Sequence, residues 1–261
     1  MNWLDRAWRT VATNVCFAVY MPGGLALGLP AYMVVRWIVP EGSRKPAGKA
    51  LLRLWYRFFV ALMDWVGVVT VSRQDLELLG QPGRFIVANH PTLIDFVVLG
   101  AVLPQANGLV KASLMRHWAM GWPIKMGGYI PNDSGQETLD LCRRALAEGG
   151  SLVVFPEGTR SKPGQPLRFQ RGAAQLALRS ADKLTLLHID STPSNLHRGG
   201  RWWLAPAEKV RMQVRLLEEL DMQEWLKAYG GEAALAARAL TVALESRYNE
   251  EQERGSIGNG N

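Results

Sequence analysis

Apolar residues follow three patterns along this chain, and each pattern predicts a different kind of element. Residues 15–35 carry no charged side chain and, at 21 residues, are long enough to cross a hydrocarbon core of about 30 Å. Residues 49–69 set two arginines and an aspartate among large apolar side chains, as an amphipathic helix does. From residue 66 onward, short apolar runs alternate with helix-like segments, which predicts an α/β fold.

The first apolar stretch is interrupted by Pro22, Gly23 and Gly24. A proline followed by two glycines predicts two shorter helices joined by a bend rather than one straight span. Basic residues flank the stretch on both sides, and basic flanks favour the cytoplasmic side of a membrane. We therefore expect a membrane-associated helical hairpin, re-entrant or interfacial, with both ends cytoplasmic; a single tilted span is the alternative. No Ala-x-Ala-like cleavage site follows, so we do not expect a removable signal peptide.

Tryptophans support the membrane interpretation of this region. Five of the ten tryptophans fall in the first quarter of the chain, among apolar residues and arginines, as at a membrane–water interface. Apolar helices of a soluble core are the alternative.

The remainder of the chain predicts a mixed, largely parallel sheet flanked by helices. We expect a membrane-associated helical region over 1–65, a catalytic domain over 66–217, C-terminal helices over 218–254 and a disordered tail over 255–261. The predicted strands are 68–72, 84–88, 108–111, 129–130, 151–155, 184–189 and 210–216.

Composition narrows the partners without choosing one. Lysine and arginine exceed aspartate and glutamate by 30 to 23, a formal charge of +7 that suits anionic lipid, a phosphorylated substrate or nucleic acid. The basic residues are scattered and form no recognition motif, so we expect no nucleic acid partner. Only two cysteines occur, which favours a reducing compartment over a disulfide framework.

His90 follows the apolar run 85–88, and Asp95, five residues later, lies near the start of the helix-like run 93–103. On one continuous helix these side chains would point about 140° apart and would not meet. If His90 lies in the turn before the helix, the Asp95 carboxylate can bond one ring nitrogen and leave the other to accept a proton from a hydroxyl. The pair is then a general base with its orienting partner. The alternative is a pair that only satisfies backbone donors at a helix start.

A second polar turn, Pro-Glu-Gly-Thr-Arg-Ser-Lys at 156–162, follows the apolar run 151–155, which we predict to be a central strand buried on both faces. Glycine allows a close backbone approach, and arginine can bind two anionic oxygens at once, so the turn suits a phosphate, helped by Arg171 shortly after it. We expect the carboxylate of Glu157 to hold Arg160 or a substrate hydroxyl. A solvated basic loop is the alternative.

Together the two turns resemble the motifs of the glycerolipid, or lysophospholipid, acyltransferase family, typified by 1-acylglycerol-3-phosphate acyltransferases. The resemblance lies in Asn-His-x-x-x-x-Asp at 89–95 and Phe-Pro-Glu-Gly-Thr-Arg-Ser at 155–161, and it covers roughly 66–217. It implies an enzyme that transfers a fatty acyl group to a lipid hydroxyl from a thioester, on coenzyme A or acyl carrier protein. It implies no metal and no cofactor beyond that co-substrate.

By position, the resemblance implies that His90 is the base that activates the acceptor hydroxyl and that Asp95 orients it. A membrane-associated N-terminus also fits this family, so we expect a location at the bacterial inner membrane, with the catalytic domain on its cytoplasmic face. The expected substrate-binding residues are Glu157, Gly158, Thr159, Arg160, Lys111 and Arg171.

Two features of the sequence bear on the acceptor: a departure from the family pattern and a resemblance to one subgroup. The intermediate motif usually ends in an arginine that assists phosphate binding, whereas this chain has Asn132 and Asp133 near that place. The strings Ala-Asn-His-Pro-Thr-Leu-Ile-Asp and Pro-Gly-Gln-Pro-Leu-Arg-Phe-Gln-Arg-Gly-Ala-Ala look like a bacterial subgroup associated with aryl polyene or related lipid pathways. An acyltransferase of a specialised lipid or aryl polyene glycolipid pathway is therefore the alternative to a lysophospholipid acyltransferase.

Other classes of protein explain less of the sequence. A serine hydrolase is disfavoured because no Gly-x-Ser-x-Gly elbow occurs. His188, Asp190 and His197 could ligate a metal, but a polar strand end and a surface loop explain them as well. A non-catalytic, basic membrane-binding module accounts for the charge and the tryptophans, but not for the paired motifs.

Overall fold

The structure is a computed structural model that describes residues 3–72, 82–117, 121–132, 135–194, 196–197, 199–201, 203–206 and 208–258, with only the backbone described for 255–258. In chain order the elements are α1 (Trp3–Trp37), α2 (Glu41–Trp65), β1 (Val69–Ser72), β2 (Phe85–Ala88), α3 (Asp95–Val102), β3 (Ala106–Val110), α4 (Ala112–Met115), α5 (Gly121–Gly127), β4 (Ile130–Pro131), α6 (Gly135–Ala147), β5 (Ser151–Val154), α7 (Arg171–Ser180), β6 (Lys183–Thr192), β7 (Val210–Asp221), α8 (Met222–Ala228) and α9 (Ala233–Gly258).

The strands form one seven-stranded sheet in the order β1-β7-β6-β2-β5-β3-β4. All neighbouring strands run parallel except β6 and β7, which are antiparallel. The predicted mixed, largely parallel sheet flanked by helices is therefore confirmed. β2 lies between β5 and β6, with Val87 paired to Val154 and to Leu186. The carboxyl ends of β2 and β5 thus meet at one edge of the sheet.

Successive residues of the central strands pack on opposite faces of the sheet, as the two-residue period of a strand requires. Ile86 and Ala88 of β2 belong to one core cluster, whereas Phe85 and Val87 belong to the other. The first cluster includes side chains from α1, α2 and α3, and the second includes side chains from α6, α7, α8 and α9. Every residue of β2 and β5 is buried, because helices cover both faces.

The N-terminal region contains one continuous helix where the sequence predicted two. α1 runs unbroken through Pro22 and Pro30, so the predicted break at residues 22–24 is wrong. The glycines there are contact points: an ideal Cβ at Gly24 would lie 3.3 Å from the indole nitrogen of Trp55 in α2. Packing against α2 offsets the backbone hydrogen bond that a proline removes. The turn between the two helices lies instead at residues 38–40.

α1 belongs to the body of the protein as well as to its surface. Its Cys16 and Phe17 are buried in the first core cluster, and the Phe17 ring meets that of Phe59 edge to face at 5.6 Å. Other side chains of α1 are exposed, including Trp3 and Trp37, and by length and composition the helix is apolar enough to cross a membrane. The region 1–65 is therefore continuous with the core of the predicted catalytic domain.

The C-terminal part differs from its predicted boundaries. β7 continues past residue 217 to Asp221, because it pairs with β6 as far as the Lys183–Asp221 register. α9 extends to Gly258, so the predicted disordered tail is helical up to that residue. Once a helix has formed, each added residue gains a backbone hydrogen bond, so extension costs little free energy. Residues 259–261 lie outside the described residues.

Candidate active site

The turn after β2 and the turn after β5 lie side by side, because their strands are parallel neighbours. The backbone N–H of His90 donates to Glu157 Oε1 over 2.8 Å, and the N–H of Ser161 donates to the His90 carbonyl over 2.8 Å. The Ser161 hydroxyl also donates to Glu157 Oε1 over 3.0 Å. Gly158 makes this turn possible, since its φ of +67° lies in the left-handed region that favours glycine. The backbone of His90 is therefore held on both sides by the second turn.

His90 and Asp95 form the predicted pair. His90 Nδ1 lies 2.7 Å from Asp95 Oδ2, with the histidine in the turn and the aspartate at the first position of α3. The Asp95 carboxylate is fully buried, whereas the His90 side chain remains 22% exposed. Since Asp95 engages Nδ1, the other ring nitrogen, Nε2, is the one left for a substrate hydroxyl.

Thr92 completes the environment of the Asp95 carboxylate. Its backbone N–H donates to Oδ2 over 2.7 Å, and its hydroxyl donates to Oδ1. Burial raises the pKa of the Asp95 carboxyl, and the hydrogen bonds from His90 and Thr92 act against that shift. Thr92 was not among the predicted site residues, although a threonine three residues before an aspartate at a helix start is a known capping pattern.

Two further neighbours fix the histidine and its strand. The His90 ring stacks on Phe155, with ring centroids 4.2 Å apart and an interplanar angle of 18°. The buried side chain of Asn89 donates to the Ile189 carbonyl over 2.9 Å and accepts from the Ile189 N–H over 2.7 Å. Asn89 thereby extends the pairing of β2 with β6 by one residue, which orients the turn that carries His90. Both residues stand in the predicted motifs, but these roles were not predicted.

His90 lines a cavity of about 780 Å³ at the carboxyl ends of β2, β3 and β5. One part of its wall is apolar and includes Phe96, Gly108, Leu109 and Val153. An ideal Cβ at Gly108 would lie 2.8 Å from the Phe96 ring, so glycine at this position leaves room for that ring. The polar part of the wall consists of Lys111, Asn132, Thr159 and Arg160, among others.

The predicted site residues separate into two groups. His90, Lys111, Gly158, Thr159 and Arg160 line the cavity, and Asp95 lies behind His90. Arg171 is exposed at the start of α7, beside the lining residues Gln170 and Gly172, and does not itself line the cavity.

Of the two predicted partners of Glu157, Arg160 is wrong, and a substrate hydroxyl stays a prediction. Its carboxylate faces the turn of the histidine, where it accepts from His90 and Ser161. Arg160 Nη1 donates instead to the carbonyls of Leu196 and His197, over 3.0 Å and 3.4 Å. The sequence could not separate these two arrangements, because residues 196 and 197 reach the site only through the fold.

The remaining residues that the sequence singles out lie as follows. Asn132 lines the cavity, and Asp133 lies outside the described residues. Asp190 Oδ2 pairs with Arg215 at 2.9 Å and lies 3.4 Å from His188 Nδ1. Within the part of the chain that the structure describes, no group of three or more histidine, cysteine, aspartate or glutamate residues could hold a metal ion.

Several known proteins are similar to this chain in sequence. Residues 69–189 match the family model described as Acyltransferase. The 1-acyl-sn-glycerol-3-phosphate acyltransferase of Limnanthes douglasii is 25% identical over 222 residues, which cover 81% of this chain and 73% of that protein. The enzyme of the same name from Pseudomonas aeruginosa is 26% identical over 155 residues, 57% of each protein.

A solved structure shows the same fold. The crystal structure of the 1-acyl-sn-glycerophosphate (LPA) acyltransferase PlsC from Thermotoga maritima superposes with a TM-score of 0.66 at 18% sequence identity. The superposition covers 94% of this chain and 97% of that one, so it includes the N-terminal helices as well as the sheet.

Proposed function

We propose that this chain moves a fatty acyl group from a coenzyme A or acyl carrier protein thioester to a lysophospholipid hydroxyl. It is an O-acyltransferase of the acyltransferase family and of the 1-acyl-sn-glycerol-3-phosphate acyltransferase type. The observation that carries the proposal is the 2.7 Å contact between His90 and a buried Asp95 at the wall of a large cavity.

The pair supports general-base catalysis. His90 Nε2 takes the proton of the acceptor hydroxyl as its oxygen attacks the thioester carbonyl, and the imidazolium returns the proton to the thiolate that leaves. One ester bond forms and one thioester bond breaks, so no further reactant is needed. Asp95 fixes the ring with Nδ1–H toward itself and stabilises the imidazolium, and such a base contributes on the order of 10² to 10⁴ in rate.

The polar wall supports a phosphorylated acceptor. Lys111 and Arg160 bring two cations to the cavity, and Thr159 adds a hydroxyl. Arg160 uses Nη1 for backbone carbonyls, which fixes the guanidinium and leaves its other donors for an anion. Lysophosphatidic acid, the acceptor implied by the names of the relatives, carries such an anion. Asn132, in the same wall, is neutral and stands near the place where the family pattern has a phosphate-binding arginine. Acceptors of a specialised lipid or aryl polyene glycolipid pathway are therefore the alternative.

The apolar wall and α1 support a lipid setting. Phe96, Leu109 and Val153 offer a surface that suits a fatty acyl chain. Trp3, Trp37 and Trp65 are exposed on the N-terminal helices, and the guanidinium of Arg36 lies 5.9 Å from the Trp37 ring centroid. Exposed tryptophans and arginines suit an anionic membrane surface. We place the chain at the bacterial inner membrane with its catalytic cavity on the cytoplasmic side, because the thioester donors are cytoplasmic.

An acyl-transfer assay with purified full-length protein in phospholipid vesicles tests the function. Acyl-CoA and acyl-ACP are each paired with lysophosphatidic acid, other lysophospholipids and glycolipid acceptors, and products are identified by mass spectrometry. We expect ester formation by the wild type and a loss on the order of 10² to 10⁴ in His90→Ala. Wild-type turnover in His90→Ala would refute the mechanism. Consumption of the thioester without acylation of any acceptor in the panel would refute the acyl transfer. A non-catalytic membrane module would consume no thioester.

A further inference from the structure

A second cavity, of about 440 Å³, lies beside the catalytic cavity between α6 and α7. Asn132, Gly172 and Leu176 line both cavities, so the two spaces are adjacent. We call the second cavity the α6–α7 groove; its lining includes Gln136, Leu139, Gly172, Gln175 and Arg179. Gln136, Gln175 and Arg179 are exposed, so the groove opens at the surface.

The α6–α7 groove is lined by amide, apolar and cationic side chains. Gln136 and Gln175 bring side-chain amides, Leu139 and Leu176 bring apolar groups, and Arg179 brings an exposed guanidinium. Amides suit a ligand with its own amides, and arginine suits a phosphate, which it can bind with two donors. The groove thus fits a slender chain of alternating polar and apolar character with an anionic end.

The thioester donor has such a chain in both of its forms. A 4′-phosphopantetheine arm, which coenzyme A and acyl carrier protein share, contains two amides, a branched apolar segment and a phosphate. Resting on the proposed acyl transfer, we propose that the α6–α7 groove binds this arm, with its thioester end in the catalytic cavity and its phosphate at Arg179. The acceptor then approaches His90 from the side of Lys111 and Arg160.

Gly172 supports a passage between the two cavities. An ideal Cβ at this position meets no atom within 4 Å, and its φ is not in the left-handed region, so the backbone does not require glycine there. Glycine in the first turn of α7 costs helix stability. What the absent side chain leaves is open space where the catalytic cavity and the α6–α7 groove meet.

The first test narrows that opening. Gly172→Leu places a side chain in it, Gly172→Ala is the smaller step, and Gly42→Leu is the matched control, since its Cβ also meets no atom within 4 Å and it lies in α2. Donors are acyl-CoA, acyl-ACP and an acyl N-acetylcysteamine thioester, which lacks most of the arm. For Gly172→Leu we expect kcat/KM to fall about 100-fold with the two full donors and less than about threefold with the truncated one. Equal losses with all three donors would overturn the proposal.

Thermal unfolding separates obstruction from misfolding in the same variants. Gly172→Ala and Gly172→Leu should unfold at the wild-type temperature or above, because a side chain restricts the unfolded chain. If Gly172→Leu unfolds earlier than wild type, the graded Gly172→Ala carries the donor comparison. A Gly172→Ala variant whose losses do not depend on the donor then counts against the proposal.

The second test measures binding without turnover. Ligand-observed NMR compares 4′-phosphopantetheine with pantetheine on wild type, Arg179→Gln and the control Arg144→Gln, an exposed arginine of α6. We expect Arg179→Gln to weaken 4′-phosphopantetheine about fivefold and to leave pantetheine unchanged, as the loss of one exposed charge contact predicts. An equal change for both ligands, or none, would overturn the proposal.

These readouts also keep the two proposals apart. Phosphate-dependent binding that is lost in Arg179→Gln, in a chain that transfers no acyl group, would refute the proposed function alone. Acyl transfer that is indifferent to Gly172 and Arg179 would refute the groove alone. The ratio of kcat/KM for acyl-CoA and acyl-ACP identifies which source of the arm the enzyme uses.

Discussion

The backbone N–H of His90 donates to the carboxylate of Glu157 over 2.8 Å, and this contact joins the turn after β2 to the turn after β5. Ser161 strengthens the connection by donating its hydroxyl to the same carboxylate oxygen and its N–H to the His90 carbonyl. Burial raises the pKa of the Glu157 carboxyl, while the bonds from His90 and Ser161 oppose that rise. Glu157 therefore holds the backbone of His90 in place.

Replacement of Glu157 should reduce turnover more than substrate binding. Glu157→Ala leaves the His90 N–H without its acceptor and frees the turn, and a displacement of about 1 Å at a catalytic group can cost about 100-fold. Glu157→Gln keeps an oxygen at the same place and should recover most of the loss. Steady-state kinetics would show kcat falling with KM for the acceptor nearly unchanged. A rise in the acceptor KM alone would indicate that Glu157 binds substrate instead.

Asp95→Asn should lose activity on the order of 10³-fold while the protein stays folded. The amide cannot stabilise the imidazolium, and its NH₂ group can impose the wrong ring tautomer on His90. Steady-state kinetics and circular dichroism on the same preparation measure the two effects. Retention of more than about a tenth of wild-type kcat would contradict the role of Asp95.

The pH dependence of stability should reveal the cost of burying the Asp95 charge. Because the pKa of this carboxyl is raised in the folded chain, the folded state binds the proton more tightly than the unfolded state does. The stabilising contribution is present below the ordinary value of 3.8 and is lost as the pH rises through the raised value. The free energy of unfolding of Asp95→Asn, relative to wild type, should therefore increase from about pH 4 to about pH 7 in urea titrations. A difference independent of pH would show that the buried carboxyl is not perturbed.

Gly108 should limit the space for the acyl chain. Its ideal Cβ lies 2.8 Å from Phe96, so Gly108→Ala must displace that ring, which also lines the cavity. We expect the variant to be destabilised by about 1–3 kcal/mol and to lose activity with long acyl chains more than with short ones. A chain-length series of acyl-CoA donors measures the second effect, and a uniform loss across the series would contradict it.

Close packing of α1 can be tested at Gly28. An ideal Cβ at Gly28 would lie 1.9 Å from the Trp122 ring of α5, whereas one at Gly42 meets nothing within 4 Å. Gly28→Ala should lower stability by about 1–3 kcal/mol, and Gly42→Ala should raise it by about 0.4–1 kcal/mol. Thermal unfolding of both variants in the same detergent gives the comparison. Similar shifts in the two would show that α1 does not pack on α5 as described.

Membrane binding should depend on the exposed tryptophans of the N-terminal helices. Trp37 and Trp65 are 78% and 83% exposed, at the ends of α1 and α2. Replacing both with serine should weaken flotation with anionic vesicles several-fold, because tryptophan favours the membrane interface. The control replaces exposed Leu235 and Val242 of α9 with serine. Equal losses in the two double variants would argue against the N-terminal helices as the membrane surface.

The sequence predicted the sheet and the His90–Asp95 pair because both depend on short-range patterns. The buried runs 85–88 and 151–154 became neighbouring parallel strands, and the polar turns after them therefore met at one edge. The predicted contact between Glu157 and Arg160 is wrong for the opposite reason. Their contacts come from His90, Leu196 and His197, which are distant in sequence and approach only through sheet order.

The helix break at residues 22–24 failed for a different physical reason. Proline and glycine have low helix propensity, which is a local quantity, but the helix is decided by the packing of Gly23 and Gly24 on Trp55. Gly24 and Trp55 are 31 positions apart in the sequence. Without the fold, small residues that pack against a distant ring look the same as small residues that form a turn. The same limit applies to the α6–α7 groove, whose walls come from two helices that no short motif connects.

Phe17, which is buried in the core, and the exposed Trp3 and Trp37 belong to one continuous helix, so no turn of the chain separates these tryptophans from the core. If α1 rests in a bilayer, His90 is held at a constant height and tilt relative to the lipid headgroups. A lysolipid would then reach the cavity by lateral diffusion in the leaflet, whereas the soluble thioester would reach it from the aqueous phase. Collision frequency with the acceptor would follow its surface density in the leaflet, not its bulk concentration.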